Sequence, residues 1–185
     1  MNANFYKELV KLVLLSLLIV VPFRIYIAQP FIVEGASMDP TFETGDYLIV
    51  DELTYHFRPP ARGSILIFKY PKDPKKSFIK RVIGLPEERI SISGGQITVT
   101  NARHPEGFLL DEPYVELSKR DSADYILGTG EYFVLGDNRL SSADSRIWGP
   151  VPEDNIIGRP IIRFFPPALF PGDNSKRKDA TGDNY

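Results

Sequence analysis

A serine and a lysine are the two residues of this sequence whose setting best suits covalent chemistry. Ser37 lies in the stretch Gly-Ala-Ser-Met-Asp-Pro-Thr-Phe, residues 35–42. Gly35 permits a backbone turn that other residues resist, and Pro40 lacks the N–H needed to complete a sheet ladder. Ser37 is therefore expected on a bend with its hydroxyl free to point into a cleft, although an ordinary loop serine would fit the same residues.

Lys80 lies in Ser-Phe-Ile-Lys-Arg-Val-Ile-Gly-Leu-Pro, residues 77–86, where a strand is predicted. Alternation places Phe78, Lys80 and Val82 on one face and residues 79, 81 and 83 on the other. Each face carries one cation, so the pattern does not tell which cation is buried. A buried lysine has a lowered pKa, and its neutral amine can take the proton of a serine hydroxyl. The alternative is a lysine whose stem packs on the sheet and whose ammonium reaches water.

A polar loop, residues 136–150, follows the predicted strand 131–135 and could hold such a pair in place. It contains Asp137, Ser142, Asp144 and Arg146. An arginine and an aspartate can pair through two parallel hydrogen bonds, which fixes a loop, and a serine hydroxyl can bond a neutral lysine. We expect Asp144 and Arg146 to act as a scaffold rather than as reacting groups. A plain surface loop is the alternative.

Composition excludes several other chemistries. The chain has 185 residues, a net charge of −2, no cysteine and two histidines, His56 and His104. The lack of cysteine removes thiol nucleophiles, disulfides and cysteine zinc sites, neither histidine has metal-ligand spacing, and we expect neither a metal nor a cofactor. The charge disfavours a nucleic-acid binder. A Ser-His-Asp triad would need one of the two histidines, and neither lies in a motif-like setting.

The N-terminal segment, residues 1–28, is predicted to be a membrane anchor. Residues 12–23 carry no charge, and a helix over residues 9–27 would be about 28 Å long, close to the ~30 Å hydrocarbon core. Lys11 and Arg24 would lie near its ends, and Lys7 and Lys11 ahead of the run favour a cytoplasmic N-terminus. A cleaved secretory signal would need a small residue where Tyr26 stands. A buried core helix is the other alternative.

The rest of the chain predicts a mostly antiparallel β fold. Residues 93–96, Ser-Gly-Gly-Gln, predict a hairpin turn. We assign a β core to residues 29–100 and 131–170, an inserted cap to 101–130 and a disordered tail to 171–185. Runs rich in Ile, Val, Phe and Tyr between Gly, Pro and Asp predict strands at 31–34, 47–51, 64–70, 78–83, 90–93, 96–100, 131–135 and 156–164.

Five motifs in order resemble the conserved boxes of bacterial type I signal peptidase (leader peptidase). They are residues 37–41 (Ser-Met-Asp-Pro-Thr), 45–46 (Gly-Asp), 62–68, 80–86 and 136–149. The resemblance covers nearly the whole chain, from the anchor to about Phe165. It implies a signal-peptidase-like antiparallel β-sheet core with one N-terminal transmembrane helix and a small inserted cap. It also implies serine endopeptidase activity without a cofactor.

The resemblance further implies roles for single residues. Ser37 matches the nucleophile, Lys80 the general base, and Ser142 the serine that hydrogen-bonds the lysine amine. The backbone N–H of Ser37 is expected in the oxyanion hole. Some members add a side-chain hydroxyl two residues before the nucleophile, where this chain has Gly35. The supporting residues implied are Asp137, Asp144 and Arg146.

The implied substrate is a preprotein whose N-terminal signal peptide is cut after a small-x-small motif. Its extended chain would add to strand edges, with residues 31–35 and 78–80 as groove walls. The enzyme would be a monomer that contacts membrane lipid, single-pass in the bacterial cytoplasmic (inner) membrane, with its catalytic domain on the extracytoplasmic side. The pocket residues implied are Val33, Gly35, Met38, Phe42, Phe78 and Ile79.

Further alternatives stay open from the sequence. An apolar group, Phe164, Phe165 and Phe170 with residues 166–167, would either rest on the membrane or form a hydrophobic plug. The first alternative function is a self-cleaving serine–lysine protease of the repressor type, but this chain has an apolar anchor where such proteins carry a DNA-binding or regulatory segment. The second is a catalytically silent, membrane-anchored β-domain that binds exported peptides, although none of the active boxes is incomplete.

Overall fold

The computed structural model describes residues 3–26, 29–164 and 167–169. The apolar N-terminal run forms the long helix α1, Ala3–Tyr26. Within the described ranges, no helix combines the length and the apolarity that crossing a bilayer requires. The predicted tail, together with Phe165, Pro166 and Phe170 of the C-terminal apolar group, lies outside the described residues.

The remaining elements are mostly strands, which confirms the predicted β class. A short helix, α2 (Ser145–Trp148), and two 3₁₀ turns, Thr54–His56 and Glu153–Asn155, accompany them. The strands are β1 (Gln29–Ile32), β2 (Tyr47–Asp51), β3 (Ile65–Tyr70), β4 (Asp73–Gly84), β5 (Arg89–Ser93), β6 (Gln96–Thr100), β7 (Phe108–Leu109), β8 (Ser122–Ile126), β9 (Glu131–Leu135), β10 (Val151–Pro152), β11 (Ile156–Phe164) and β12 (Pro167–Leu169).

The strands form two antiparallel sheets. The larger has the order β1-β2-β11-β3-β4-β9-β10, with β12 added to β11, and the smaller has the order β7-β6-β5-β8. Four strands, β2, β6, β9 and β11, have the bounds that the sequence predicts. The predicted hairpin joins β5 to β6 through Gly94 and Gly95, whose φ values of 60° and 89° suit the tight turn that two positive-φ residues allow.

The smaller sheet differs from the predicted division of the chain. It combines β5 and β6, which the sequence assigned to the core, with β7 and β8 from the predicted cap at residues 101–130. The first strand of the smaller sheet, β5, therefore begins at Arg89, within the segment that the sequence assigned to the core. Alternation of apolar residues shows that β5 and β6 are half-buried strands, but it does not tell which sheet they join.

Three apolar clusters hold the sheets together and support the loops at their edge. The first packs the smaller sheet against the ends of β4 and β9, with Ile83 and Leu135 at its centre. The second lies beneath β3 and β9 and includes Trp148 of α2. The third, Val33, Met38, Phe42 and Leu48, fills the space under the loop between β1 and β2.

Candidate active site

Ser37 lies on the long loop from β1 to β2, and backbone bonds fix that loop at both ends. Val33 N–H donates to Asp46 O at 3.0 Å, and Gly45 N–H donates back to Val33 O at 2.9 Å. Gly35 has φ 88°, in the region that favours glycine. Ser37 is half-buried, and the bend expected there is present.

Lys80 reaches Ser37 from the middle of β4, where it pairs with Leu66 of β3. Its side chain is buried, with 3% of the residue exposed. Its amine donates to Ser37 Oγ at 2.6 Å and to Ile79 O at 2.8 Å. Burial lowers the pKa of the Lys80 amine from 10.5 to about 8, against the opposing charges of Asp144 and Asp137. The neutral form of the amine is therefore about a tenth of the total at pH 7, far more than for an exposed lysine.

Asp137 pairs with Arg81, the neighbour of Lys80 on the opposite face of β4. The Arg81 guanidinium donates to both carboxylate oxygens at 2.7 and 2.5 Å, and both side chains are buried. Thr41 Oγ1 adds a third bond to Asp137 at 2.5 Å. Since Thr41 follows Ser37 on the same loop, this network ties the serine loop, β4 and the loop after β9 together.

Asp144 and Arg146 form the pair that the sequence predicts, and Asp144 is fully buried. Arg146 donates to both Asp144 oxygens at 2.8 Å through Nε and Nη2. Asp144 also caps α2 by accepting from Arg146 N–H, and it accepts from Gly136 N–H at 3.2 Å. The pair therefore closes residues 136–146 into a fixed loop.

Ser142 lies beside the serine loop with its hydroxyl buried. Within the described residues, the Ser142 hydroxyl has no hydrogen-bond partner. A Cβ built at Gly136 would come within 2.3 Å of both Ser142 Oγ and Ser37 O, so glycine is what lets these two segments meet. The bonds of the Lys80 amine go to Ser37 and Ile79, and the predicted bond from Ser142 to that amine stays a prediction.

A cleft of about 330 Å³ opens beside Ser37. Its walls are residues 31–34, at the end of β1, and residues 76–80 of β4. Of the predicted pocket residues, Val33, Phe78 and Ile79 line it, whereas Gly35 does not. Met38 and Phe42 differ from the prediction, because both are fully buried in the cluster under the serine loop. The sequence shows their apolarity but not whether they face the core or the cleft.

The comparison with protein families decides the family of this chain. Residues 6–165 match the family described as signal peptidase, peptidase S26. The chain belongs to this signal peptidase family. A probable signal peptidase I-1 from Synechocystis is 37% identical over 170 residues, which cover 88% of this chain and 84% of that protein.

Two further relatives of this signal peptidase family member differ in coverage. A thylakoidal processing peptidase 1 from Arabidopsis thaliana chloroplasts is 34% identical over 156 residues, 79% of this chain and 44% of that protein. A crystal structure of a signal peptidase I from Enterococcus faecalis is 29% identical and aligns with a TM-score of 0.46 over 55% of this chain and 97% of that one.

One segment that contacts the site of this signal peptidase family member is not predicted by the sequence. Residues 112–121, which we call the strap, bind three arginines of the site. Glu112 accepts two hydrogen bonds from Arg139, one of them at 2.8 Å, and Asp121 accepts from Arg146 at 3.0 Å. The Tyr114 ring lies 4.0 Å from the guanidinium carbon of Arg81. Pairs this far apart in the chain leave no local pattern, so only their acidic and aromatic residue types could have indicated them.

Neither histidine takes part in the Ser37–Lys80 contact of this family member. His56 Nδ1 lies 2.9 Å from Glu52 O, and the His104 ring packs edge-on against Phe108. Over the described ranges, no group of three or more His, Cys, Asp or Glu side chains is arranged to hold a metal ion.

Proposed function

We propose that this member of the signal peptidase family is a membrane-anchored serine endopeptidase with a Ser37–Lys80 dyad. It removes N-terminal signal peptides from exported preproteins by cutting after a small-x-small motif. The observation that carries the proposal is the 2.6 Å contact between a buried lysine amine and a serine hydroxyl at the end of a cleft. A neutral lysine in that position can act as a general base for the serine.

The proposed reaction has two halves. The neutral Lys80 amine takes the hydroxyl proton while Ser37 Oγ forms a bond to the scissile carbonyl carbon. The resulting ammonium gives this proton to the leaving amine as the C–N bond breaks, and the acyl ester on Ser37 remains. In the second half, water attacks the ester carbonyl, Lys80 takes the water proton and returns it to Ser37, and the signal peptide leaves with a free carboxylate.

The backbone N–H of Ser37 is the proposed oxyanion donor. Within the described residues it makes no backbone hydrogen bond, so it can point at the developing negative charge. Gly35 supplies no side-chain donor, and a Cβ built there would meet nothing within 4 Å. Asp137, Asp144 and Arg146 support the dyad by fixing the loop that contacts Ser37, and Ser142 is proposed to hydrogen-bond the neutral Lys80 amine.

The two walls of the cleft explain how an extended peptide would bind. β1 is an edge strand of the larger sheet, and residues 73–80 of β4 pair with β3 alone among the described strands. Both walls therefore have an outer edge that pairs with no described strand, and a peptide can add there as a further strand. Val33, Phe78 and Ile79 line the cleft, and their bulk favours small residues before the cut.

Helix α1 is the proposed membrane anchor. Its apolar side chains are exposed along much of its length, including Leu12, Leu14 and Leu18, and lipid would cover them. Lys7 and Lys11 near its start favour a cytoplasmic N-terminus, which puts the β domain on the extracytoplasmic side of a bacterial membrane. The anchor would hold Ser37 close to the bilayer, where the apolar part of a signal peptide enters the cleft.

One assay tests the dyad. The purified full chain in detergent is incubated with a signal-bearing preprotein, and the cleavage rate of wild type is compared with those of Ser37→Ala and Lys80→Ala. We expect both variants to fold and to lose essentially all cleavage. Ser122→Ala and Lys72→Ala, two exposed positions away from the site, are matched controls and should cleave as wild type does. Cleavage by Lys80→Ala would refute the dyad, and no cleavage by wild type would favour a peptide-binding domain.

A further inference from the structure

A second, smaller cavity lies beside the serine loop. It has a volume of about 190 Å³ and is built from three segments. Asp39 and Pro40 of the serine loop form one wall, Asn138 and Leu140 of the loop after β9 form another, and Glu116 with Leu117 of the strap close it. Leu117 and Leu140 are 66% and 54% exposed, so apolar surface faces solvent at its rim.

This cavity begins at Asp39, two residues after the nucleophile. Asn138 N–H donates to Ser37 O at 3.1 Å, and the Asn138 side chain donates to Ala36 O at 3.0 Å. The two cavities share no lining residue, and each is lined in part by the loop that carries Ser37. A peptide whose residues before the cut fill the first cleft therefore has a second cavity beside Ser37 into which the residues after the cut can extend.

The carboxylates at the second cavity differ from those around the dyad. Asp137, which also lines it, is paired with Arg81. Asp39 and Glu116 lie against the cavity, and within the described ranges neither side chain forms an ion pair or a hydrogen bond. Two unpaired negative charges on a partly apolar wall favour a positively charged segment and oppose an acidic one.

We propose that this cavity binds the first residues of the mature protein, after the cut, and that Asp39 and Glu116 make it select basic over acidic residues there. The inference rests on the proposed function, since it assigns the other half of the same substrate. Leu117 and Leu140 would contact the aliphatic stems of Lys or Arg, whose charged ends reach the carboxylates.

Three peptide substrates test the proposal with the full chain in detergent. They are identical up to the cut and carry Lys, Gln or Asp at the second and third mature positions. We expect kcat/KM to be about tenfold higher for the Lys peptide than for the Asp peptide at low salt, because each exposed charge pair contributes only a few-fold. The ratio should fall towards one at high salt, since exposed charges are screened.

Variants locate the effect. Asp39→Asn and Glu116→Gln should each lower the Lys/Asp ratio, and the double variant should bring it to about one, with each rate expressed relative to that of the Gln peptide. Glu106→Gln, an exposed carboxylate elsewhere, is the matched control and should keep the wild-type ratio. Equal wild-type rates on the Lys and Asp peptides, or an unchanged ratio in the double variant, would overturn the proposal. Failure to cleave the Gln peptide would instead count against the proposed function.

Discussion

Replacing Lys80 with methionine should abolish cleavage and also change how the stability of the fold depends on pH. Burial lowers the pKa of the Lys80 amine from 10.5 to about 8. Below about pH 8 the amine is charged in both the folded and the unfolded chain, and the folded state carries the full cost of burying the charge. Between pH 8 and 10.5 the unfolded chain holds a proton that the folded chain has released, so this contribution to stability rises with pH.

The pKa difference sets the size of the effect. The shift from 10.5 to about 8 is roughly 2.5 units, and at about 1.4 kcal/mol per unit the buried charge costs about 3 kcal/mol at pH 7. Methionine has a similar length and no charge, so the variant does not carry this cost. It loses the bonds to Ser37 and Ile79 at every pH, about 1 kcal/mol each. That loss cancels when two pH values are compared.

Urea unfolding of the full chain in a non-ionic detergent measures the difference. Trp148 is the one tryptophan of the sequence, and it lies in the core with 9% exposed, so its fluorescence reports unfolding. From pH 7 to pH 10.5, the free energy of unfolding of Lys80→Met relative to wild type should fall by about 3 kcal/mol. Lys72→Met, at an exposed lysine, should show no such change. A Lys80→Met difference that is independent of pH would refute the idea of a desolvated amine.

Two further predictions concern activity. The kcat/KM of wild type should rise about tenfold per pH unit below about pH 8 and level off above it. A flat profile from pH 6 to 9 would exclude a neutral-lysine base. Lys80→Arg should be inactive because a guanidinium keeps its proton. Glu112→Ala leaves the buried Arg139 without its carboxylate, which should cost about 3–5 kcal/mol of stability. Glu112→Ala should lower kcat by a larger factor than it changes KM, and Glu112→Gln should keep part of the activity. A kcat equal to that of wild type in Glu112→Ala would show that the strap does not position the loop.

Local patterns predicted the strands well because each strand carries its own alternation. The strand β9, Glu131–Leu135, and the glycine pair between β5 and β6 could be identified from a few neighbouring residues. The pairing of β11 with both β2 and β3 could not, because it joins segments about a hundred residues apart. The same limit explains why the sequence alone does not show that β5 and β6 form one sheet with β7 and β8.

The site shows the same division between local and long-range information. Ser37 and Lys80 stand in recognisable motifs, and their contact at 2.6 Å joins positions 43 residues apart. Alternation places Arg81 and its neighbour Lys80 on opposite faces of β4. Both side chains are nevertheless buried. An alternating pattern assumes that one face of the strand is exposed to solvent. It therefore could not predict that both Lys80 and Arg81 are buried. What permits this is the carboxylate of Asp137, which meets Arg81 from the loop after β9.

The paired arginines also explain how the site keeps aspartates near a lysine that must lose its proton. The charges of Asp144 and Asp137 raise the pKa of the Lys80 amine and so oppose the effect of burial. Each carboxylate is held by two hydrogen bonds from a guanidinium, Arg146 and Arg81 respectively, and a shared charge exerts a weaker field than a free one. The loop needs the Asp144 carboxylate, because it caps α2 and accepts a hydrogen bond from the backbone of the loop. Pairing with the arginines therefore lets Asp144 and Asp137 accept hydrogen bonds within the loop while raising the pKa of the Lys80 amine less than free carboxylates would.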